Sequence, residues 1–256
     1  MKNMIQYNER EKLFHLTTID TSYILQILPT GHPANLYYGK KICHRDNFEN
    51  LIKMRSLAFG SSTSYNNENP GFSLNFQKLE YSSYGKGDYR NPAISLTSCD
   101  GNRTFDFIYD SHKIIQGKPP LRGLPSPHMG SEKGIESLEL KLIDPLYNLS
   151  LHLNYSVFPQ KNILTRNITL TNNGDCEITI EKISSFSLDF DHFDFDLISL
   201  DGAWIRERHI HRRPLNYGIR EISSRKGVSS PDHNPFLILC DHDTTEQRGD
   251  SYGFAL

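Results

Sequence analysis

Strict two-residue alternation over residues 138–157 limits this chain more than any other feature. Leu138, Leu140 and Leu142 alternate with Glu139 and Lys141. After Asp144-Pro145, Leu149, Leu151, Leu153, Tyr155 and Val157 alternate with Ser150, His152, Asn154 and Ser156. Successive strand side chains face opposite ways, so each apolar set defines one face of a half-buried antiparallel pair. A third run carries Leu164, Ile168 and Leu170, turns at Asn172-Asn173-Gly174-Asp175, and resumes at Ile178 and Ile180. That turn holds residues that tolerate positive φ, as a tight hairpin requires.

Further strands are expected at Phe14 to Thr17, Ser22 to Leu28, Leu36 to Tyr38, Ala93 to Thr97 and Thr104 to Tyr109. Gly117-Lys118-Pro119-Pro120 and Leu124-Pro125-Ser126-Pro127 mark loops. The one helix the pattern supports runs from Asp46 to Met54, with Asp46 and Glu49 placed as in a capping box. Many short strands, few helices and no evident linker predict an all-β chain. The expected architecture is a large two-sheet antiparallel β-sandwich (a supersandwich) with one or two short helices, formed by residues 1–256 as one domain. A hydrophobic share of 37% over 256 residues is modest, which predicts a polar groove or a surface meant for another domain.

A net charge of −2 excludes nucleic acid as the main partner, since phosphate binding needs a strongly basic face. No apolar run reaches membrane-spanning length. The first residues, Met1-Lys2-Asn3-Met4-Ile5-Gln6, carry no apolar leader, and a cytoplasmic location is expected. Asn-x-Ser/Thr triplets at Asn102, Asn148, Asn154 and Asn167 then read as chance matches. Cys43, Cys99, Cys176 and Cys240 lie far apart without a CxxC pair and read as separate reduced thiols.

The pattern changes after residue 185. Phe186, Leu188 and Phe190 share one parity, whereas Phe193, Phe195 and Leu197 share the other, so a bulge or sharp turn is expected at Asp191-His192. Asp189, Asp191, Asp194, Asp196 and Asp201 make this segment acidic. Arg206, Arg208, Arg212, Arg213, Arg220, Arg225 and Lys226 make the next one basic, and neighbouring strands of opposite sign can pair across a ladder. Trp204, the single tryptophan, lies between Ala203 and Ile205-Arg206-Glu207-Arg208. Residue chemistry alone assigns it to packing at a core or strand end. The closing run Tyr252 to Leu256 reads as an apolar strand without a polar tail, so the chain is expected to stop within a sheet.

Several motifs in fixed order carry a family resemblance. They include Phe14-His15-Leu16, Ser22-Tyr23, Leu36-Tyr37-Tyr38-Gly39-Lys40 and Gly87-Asp88-Tyr89-Arg90-Asn91-Pro92. Gly117-Lys118-Pro119, Gly123-Leu124-Pro125 and Gly202-Ala203-Trp204 with Arg206-Glu207-Arg208 follow. Arg213-Pro214-Leu215, Ser229-Ser230, Asn234-Pro235-Phe236 and Tyr252-Gly253-Phe254 complete the series. Together they resemble the N-terminal β-sandwich domain of family 36 glycoside hydrolases, the bacterial α-galactosidases.

The resemblance implies a sandwich followed by a (β/α)₈ barrel and a small C-terminal sheet domain, with both catalytic aspartates in the barrel. It therefore implies no catalytic residue within residues 1–256, a fragment truncated before its last strands, and no cofactor. Retaining glycosidases act through two carboxyls about 5–5.5 Å apart. The intact enzyme would remove terminal α-linked galactose from oligosaccharides such as melibiose and raffinose. This portion would shape the pocket entrance and oligomer contacts, the family assembling as tetramers. Trp204 corresponds to a family residue lining the galactose pocket. An aspartate contact of the family falls near Ser56, ahead of Ala58-Phe59, where this chain has no Asp. Pro231 and Asp232 follow Ser230 where the family pattern has a histidine, and His233 is displaced.

Other residues read more plainly. Arg206, Glu207 and Arg208 form a structural ion-pair cluster on this reading, and direct sugar contact by an arginine is the lesser alternative. His209 and His211 share a strand face, but no third ligand stands at metal spacing. The aspartates of 189–201 lack the glycine and closing glutamate of a calcium loop. Asp88, Arg90, Asp241, Asp243 and Glu246 read as turn and surface residues. The alternative function is a stand-alone carbohydrate-binding or assembly module.

Overall fold

The alternating runs over residues 138–157 form the strands they predict, as a computed structural model of the chain shows. It describes residues 4–52, 63–68, 72–121, 123, 134–224, 226 and 231–256. Ser56, Ala58, Phe59, Leu124, Pro125, Ser229 and Ser230 lie outside the described residues. So does Met54. The chain forms two compact units, Met1–Asp189 and Phe190–Leu256.

In the first unit, β1 (Ile5–Asn8), β2 (Leu13–Thr17), β3 (Thr21–Ile27) and β4 (Pro33–Lys40) make an antiparallel meander. A second meander joins β6 (Ile108–Gln116), β7 (Glu136–Asp144), β8 (Leu149–Phe158) and β9 (Ile163–Asn172). Leu138, Leu140, Leu142, Leu151, Leu153 and Val157 pack with Phe14, Leu16, Tyr23 and Leu25 in one core. The other face of the first meander is also covered. There Leu13, Ile24, Ala34 and Leu36 meet Phe48, Phe72, Leu74 and Leu79. Burial on both faces explains why β2 and β3 are nearly continuous buried runs. Asp144 closes the β7–β8 turn, its Oδ1 accepting the N–H groups of Leu146 and Tyr147 at 3.0 Å each.

Four expectations need correction. The Asn172–Asp175 turn does not close a hairpin. The strand that follows, β10 (Ile178–Ile183), leaves β9 and pairs instead with β5 (Ile94–Ser98), Ile178 opposite Ser98. Secondly, that pairing brings Cys99 beside Cys176, and the two form a disulfide rather than separate thiols. Their sequence separation of 77 conceals the contact until the strand partners are known. Cys43 and Cys240 are free.

Thirdly, residues 101–107 are irregular and the strand begins only at Ile108. Side chains compete for that backbone: Asn102 bonds both the N–H and the carbonyl of Thr104, and Asp144 Oδ2 takes the Asp106 N–H at 2.7 Å. Fourthly, the expected helix is a single 3₁₀ turn, Glu49–Leu51, whose first N–H is accepted by Asn47 Oδ1. Among the described residues the other 3₁₀ turns are Leu74–Phe76 and Pro159–Lys161. Among the described residues no helix is long and apolar enough to cross a membrane.

A buried ionic knot crosses the core of the first unit. Glu80 is fully enclosed and receives hydrogen bonds from Tyr23 Oη, Tyr155 Oη and Arg166 Nη1, each to Oε1 at 2.7 Å. The Arg166 guanidinium also lies over the rings of Tyr81, Tyr155 and Phe186, 5.1–5.5 Å from each centroid. Burial disfavours the Arg166 charge, but Tyr155 and Glu80 more than offset it and its pKa is raised. Burial first, then Glu80, pushes the Tyr23 hydroxyl well above its ordinary range. The knot joins β3, β8, β9 and the 77–83 segment.

In the second unit, β11 (Asp196–Ala203), β12 (Arg206–Pro214), β13 (His233–Cys240) and β14 (Ser251–Ala255) form one antiparallel sheet in the order β12-β11-β13-β14. The parity change between Phe190 and Phe193 falls in irregular chain ahead of β11, where Phe195 N–H bonds Phe193 O at 2.8 Å.

Removing one partner of a buried pair leaves the other charge stranded, at a cost of about 3–5 kcal/mol. Arg166→Met should therefore destabilise the first unit by that amount in urea denaturation. The double variant with Glu80→Gln should recover much of the loss, whereas a single-variant loss below about 1 kcal/mol would show the knot to be incidental.

Candidate functional site

The β11–β12 hairpin positions Trp204. Its strands pair from Asp196 opposite Pro214 to Ala203 opposite Arg206, leaving Trp204 and Ile205 as the loop. Between Asp201–His209 and Ala203–Arg206 the register shifts by one residue on β12, a bulge. Arg208 in that bulge has φ 59°, and Ile205 in the loop has φ 68°. Left-handed backbone at a β-branched residue is disfavoured, so the loop holds its shape against local preference. Gly202 makes it possible: a Cβ there would stand 2.1 Å from the Arg206 carbonyl oxygen and 2.9 Å from the Glu207 Cα. Only glycine permits that approach.

At the tip, Trp204 is 77% exposed and Ile205 86%. A core or strand-end packing role for Trp204 is thus not what the second unit provides. Ile210, farther along β12, is 74% exposed, and β12 is exposed over its whole length. It is also an edge strand, and Arg206, Arg208, Arg212 and Arg213 along it oppose pairing with a like strand. Phe193 and Tyr217 form another exposed aromatic pair, ring centroids 4.7 Å apart.

Charge stiffens the base of the hairpin. Arg212 Nε donates to Asp196 Oδ2 at 2.6 Å, and its Nη groups bond the carbonyls of Asp241, His242 and Thr244. His242 bridges two carboxylates, Nδ1 to Asp196 Oδ1 at 2.6 Å and Nε2 to Asp194 Oδ1 at 2.8 Å. Ionised carboxylates only accept, so both bonds form together only when the imidazole carries both protons. Asp194 and then Asp196 raise the His242 pKa, and the Arg212 hydrogen bond leads in lowering that of Asp196. At the other end, Asp201 accepts from His233 Nδ1 at 2.9 Å and from Ser199 Oγ at 2.7 Å. The opposite-sign pairing expected between these segments is therefore present, at Asp196–Arg212 and, at 3.8 Å, Asp201–Arg213.

The remaining sequence candidates fall as follows. Among the described residues none of Arg206, Glu207 and Arg208 forms an ion pair, which corrects the expected cluster. His209 stands opposite Asp201 and His211 opposite Ser199. Among the described residues no three His, Cys, Asp or Glu side chains are grouped to hold a metal. Asp88 is in a turn but is buried rather than on the surface, and it clamps Arg90 through both oxygens at 2.9 Å. Sequence reasoning passed over His242, whose partners lie 46 and 48 residues away.

The glycosyl hydrolase family 36 N-terminal domain matches residues 31–256. The chain is similar to α-galactosidase AgaA of Geobacillus stearothermophilus, 36% identical over 251 residues, covering 98% of this chain and 34% of that protein. A crystal structure of the Lactobacillus brevis α-galactosidase superposes with a TM-score of 0.92 at 36% identity, covering 98% of this chain and 33% of that one. A variant of AgaA solved in complex with raffinose superposes at 0.87 with 35% identity, over 94% of this chain and 33% of that one. The chain thus spans about a third of the length of the relatives it matches.

The two shifted groups define a pH window for the 241–250 loop. The raised His242 pKa contributes stability that is complete below about 6.5 and lost as pH rises through the folded value. The lowered Asp196 pKa contributes stability present above about 3.9 and lost as pH falls through its folded value. An NMR titration should place the His242 midpoint above that of an ordinary histidine, and Asp194→Asn should lower it. A midpoint unmoved by Asp194→Asn would contradict the bridge.

Proposed function

Because this chain belongs to the glycosyl hydrolase family 36 N-terminal domains, we propose that it serves as the N-terminal portion of a retaining α-galactosidase. The intact enzyme hydrolyses terminal α-linked galactose from oligosaccharides such as melibiose and raffinose. The catalytic carboxylates belong to a barrel domain of the longer polypeptide, and residues 1–256 act as its front domain without catalysing hydrolysis alone. The observation that carries this reading is the nearly complete match of the chain to one third of several α-galactosidases. Raffinose in the complex of a relative supports the substrate class.

In this reading Trp204 closes one side of a galactose pocket. An indole presents a flat apolar face to the C–H face of a pyranose and an N–H to a hydroxyl. Its exposure at a glycine-pinned tip supports that role, because an indole held out from its own unit is available to a neighbouring surface. Tetrameric assembly and a cytoplasmic location complete the reading. The exposed tip supports the first, and the Cys99–Cys176 disulfide counts against the second, since such bonds are rare in the cytosol of mesophiles.

The test is the protein encoded by the complete reading frame, assayed for galactose release from raffinose. The expected result is hydrolysis, with no turnover by residues 1–256 alone and a fall in kcat/KM of about tenfold for Trp204→Ala, equivalent to about 1.4 kcal/mol. A reading frame that ends without a barrel would instead favour the carbohydrate-binding or assembly module.

A further inference from the structure

A cavity of about 390 Å³ in the first unit is lined by Thr63, Ser73, Asn75, Phe76, Gly87, Tyr89 and Arg90. Small-molecule sites span roughly 300–1,000 Å³ and combine apolar walls with a few placed polar groups. This one has two aromatic rings, one amide, three hydroxyls including that of Tyr89, and the Arg90 guanidinium. Ser73 is 3% exposed and its Oγ is closed to solvent, so it backs the wall, and Thr63 and Asn75 are the polar neutral side chains left to meet a ligand.

The wall is rigid. Gly85 and Asp88 exchange both backbone hydrogen bonds, at 2.9 and 3.0 Å, around a two-residue turn in which Lys86 and Gly87 have φ 54° and 90°. Positive φ at both central positions marks the hairpin turn whose twist suits strand pairing. Tyr89 follows directly and is 62% exposed, its ring edge-on to Tyr84 with centroids 5.6 Å apart. Arg90 is fixed by Asp88 and by the carbonyls of Leu74 and Gln77, at 3.2 and 2.9 Å. Its charge is already answered by Asp88 and, at 3.5 Å, by Asp189. The cavity therefore offers no unbalanced charge to an anion. What remains is an aromatic face beside neutral donors and acceptors, which suits an uncharged polyhydroxylated ring.

We propose that this cavity binds a neutral saccharide, with Tyr89 stacking on a pyranose and Thr63 and Asn75 bonding its hydroxyls. The inference is independent of Trp204 and of the enzyme reading. It is tested by saturation-transfer NMR on Trp204→Ala chain, from which the hairpin tip has been removed as a binding surface, with raffinose and maltotriose as probes. Transfer to the protons of either sugar is expected. Adding Tyr89→Ala should reduce it at least fivefold, whereas Tyr89→Phe should preserve it. Absence of transfer to both sugars, or transfer unchanged by Tyr89→Ala, overturns the proposal. Tyr89 is largely exposed, so its variants are expected to fold, and a circular-dichroism spectrum matching the parent checks this.

Discussion

The approach of the Arg206 carbonyl to Gly202 fixes the end of the β11–β12 hairpin. With any larger residue at 202 the last pair, Ala203 opposite Arg206, could not form as it does. The bulge at Arg208 and the left-handed Ile205 follow from the same tight closure. Trp204, carried at that tip, is largely exposed. Farther down, Asp196, Arg212 and His242 tie the hairpin base to the loop after β13, so the tip is carried on a stiffened support. Local backbone strain and exposed apolar surface at one place are the usual marks of a contact surface.

The first unit is held differently. Its two meanders share one hydrophobic core, and the motif-bearing segments are fastened by charge. Glu80 pairs with Arg166 and accepts from two tyrosines, while Asp88 and Arg90 brace the chain between Leu74 and Gln77. The Gly-Asp-Tyr-Arg motif that contributes to the family resemblance therefore has a clear structural task. Its aspartate and arginine form the clamp, its glycine turns the chain, and its tyrosine faces outward.

Strand content was legible wherever a single face is buried, because alternation then survives in the sequence. Leu138 to Leu142 and Leu149 to Val157 show it plainly. Legibility failed where partners are remote or side chains intervene. Nothing near Ile178 says that its strand pairs with Ser98 rather than folding back on β9, and the cysteine pairing was lost with it. The Thr104 to Tyr109 run alternates, yet Asn102 and Asp144 take its backbone groups first. At the site, Trp204 was conspicuous by rarity, but its chemistry alone suggested packing. Exposure came from Gly202, whose role depends on a carbonyl four residues away. His242 carried no local signal at all.

The central claim is that the hairpin holds Trp204 away from the interior of its own unit, ready to meet another surface. Because it is the sole tryptophan, fluorescence reads it without interference. Acrylamide quenching of residues 1–256 should be efficient, with emission at the long wavelength of a hydrated indole. Blue-shifted emission that acrylamide barely quenches would place the ring in a packed interior and contradict the account.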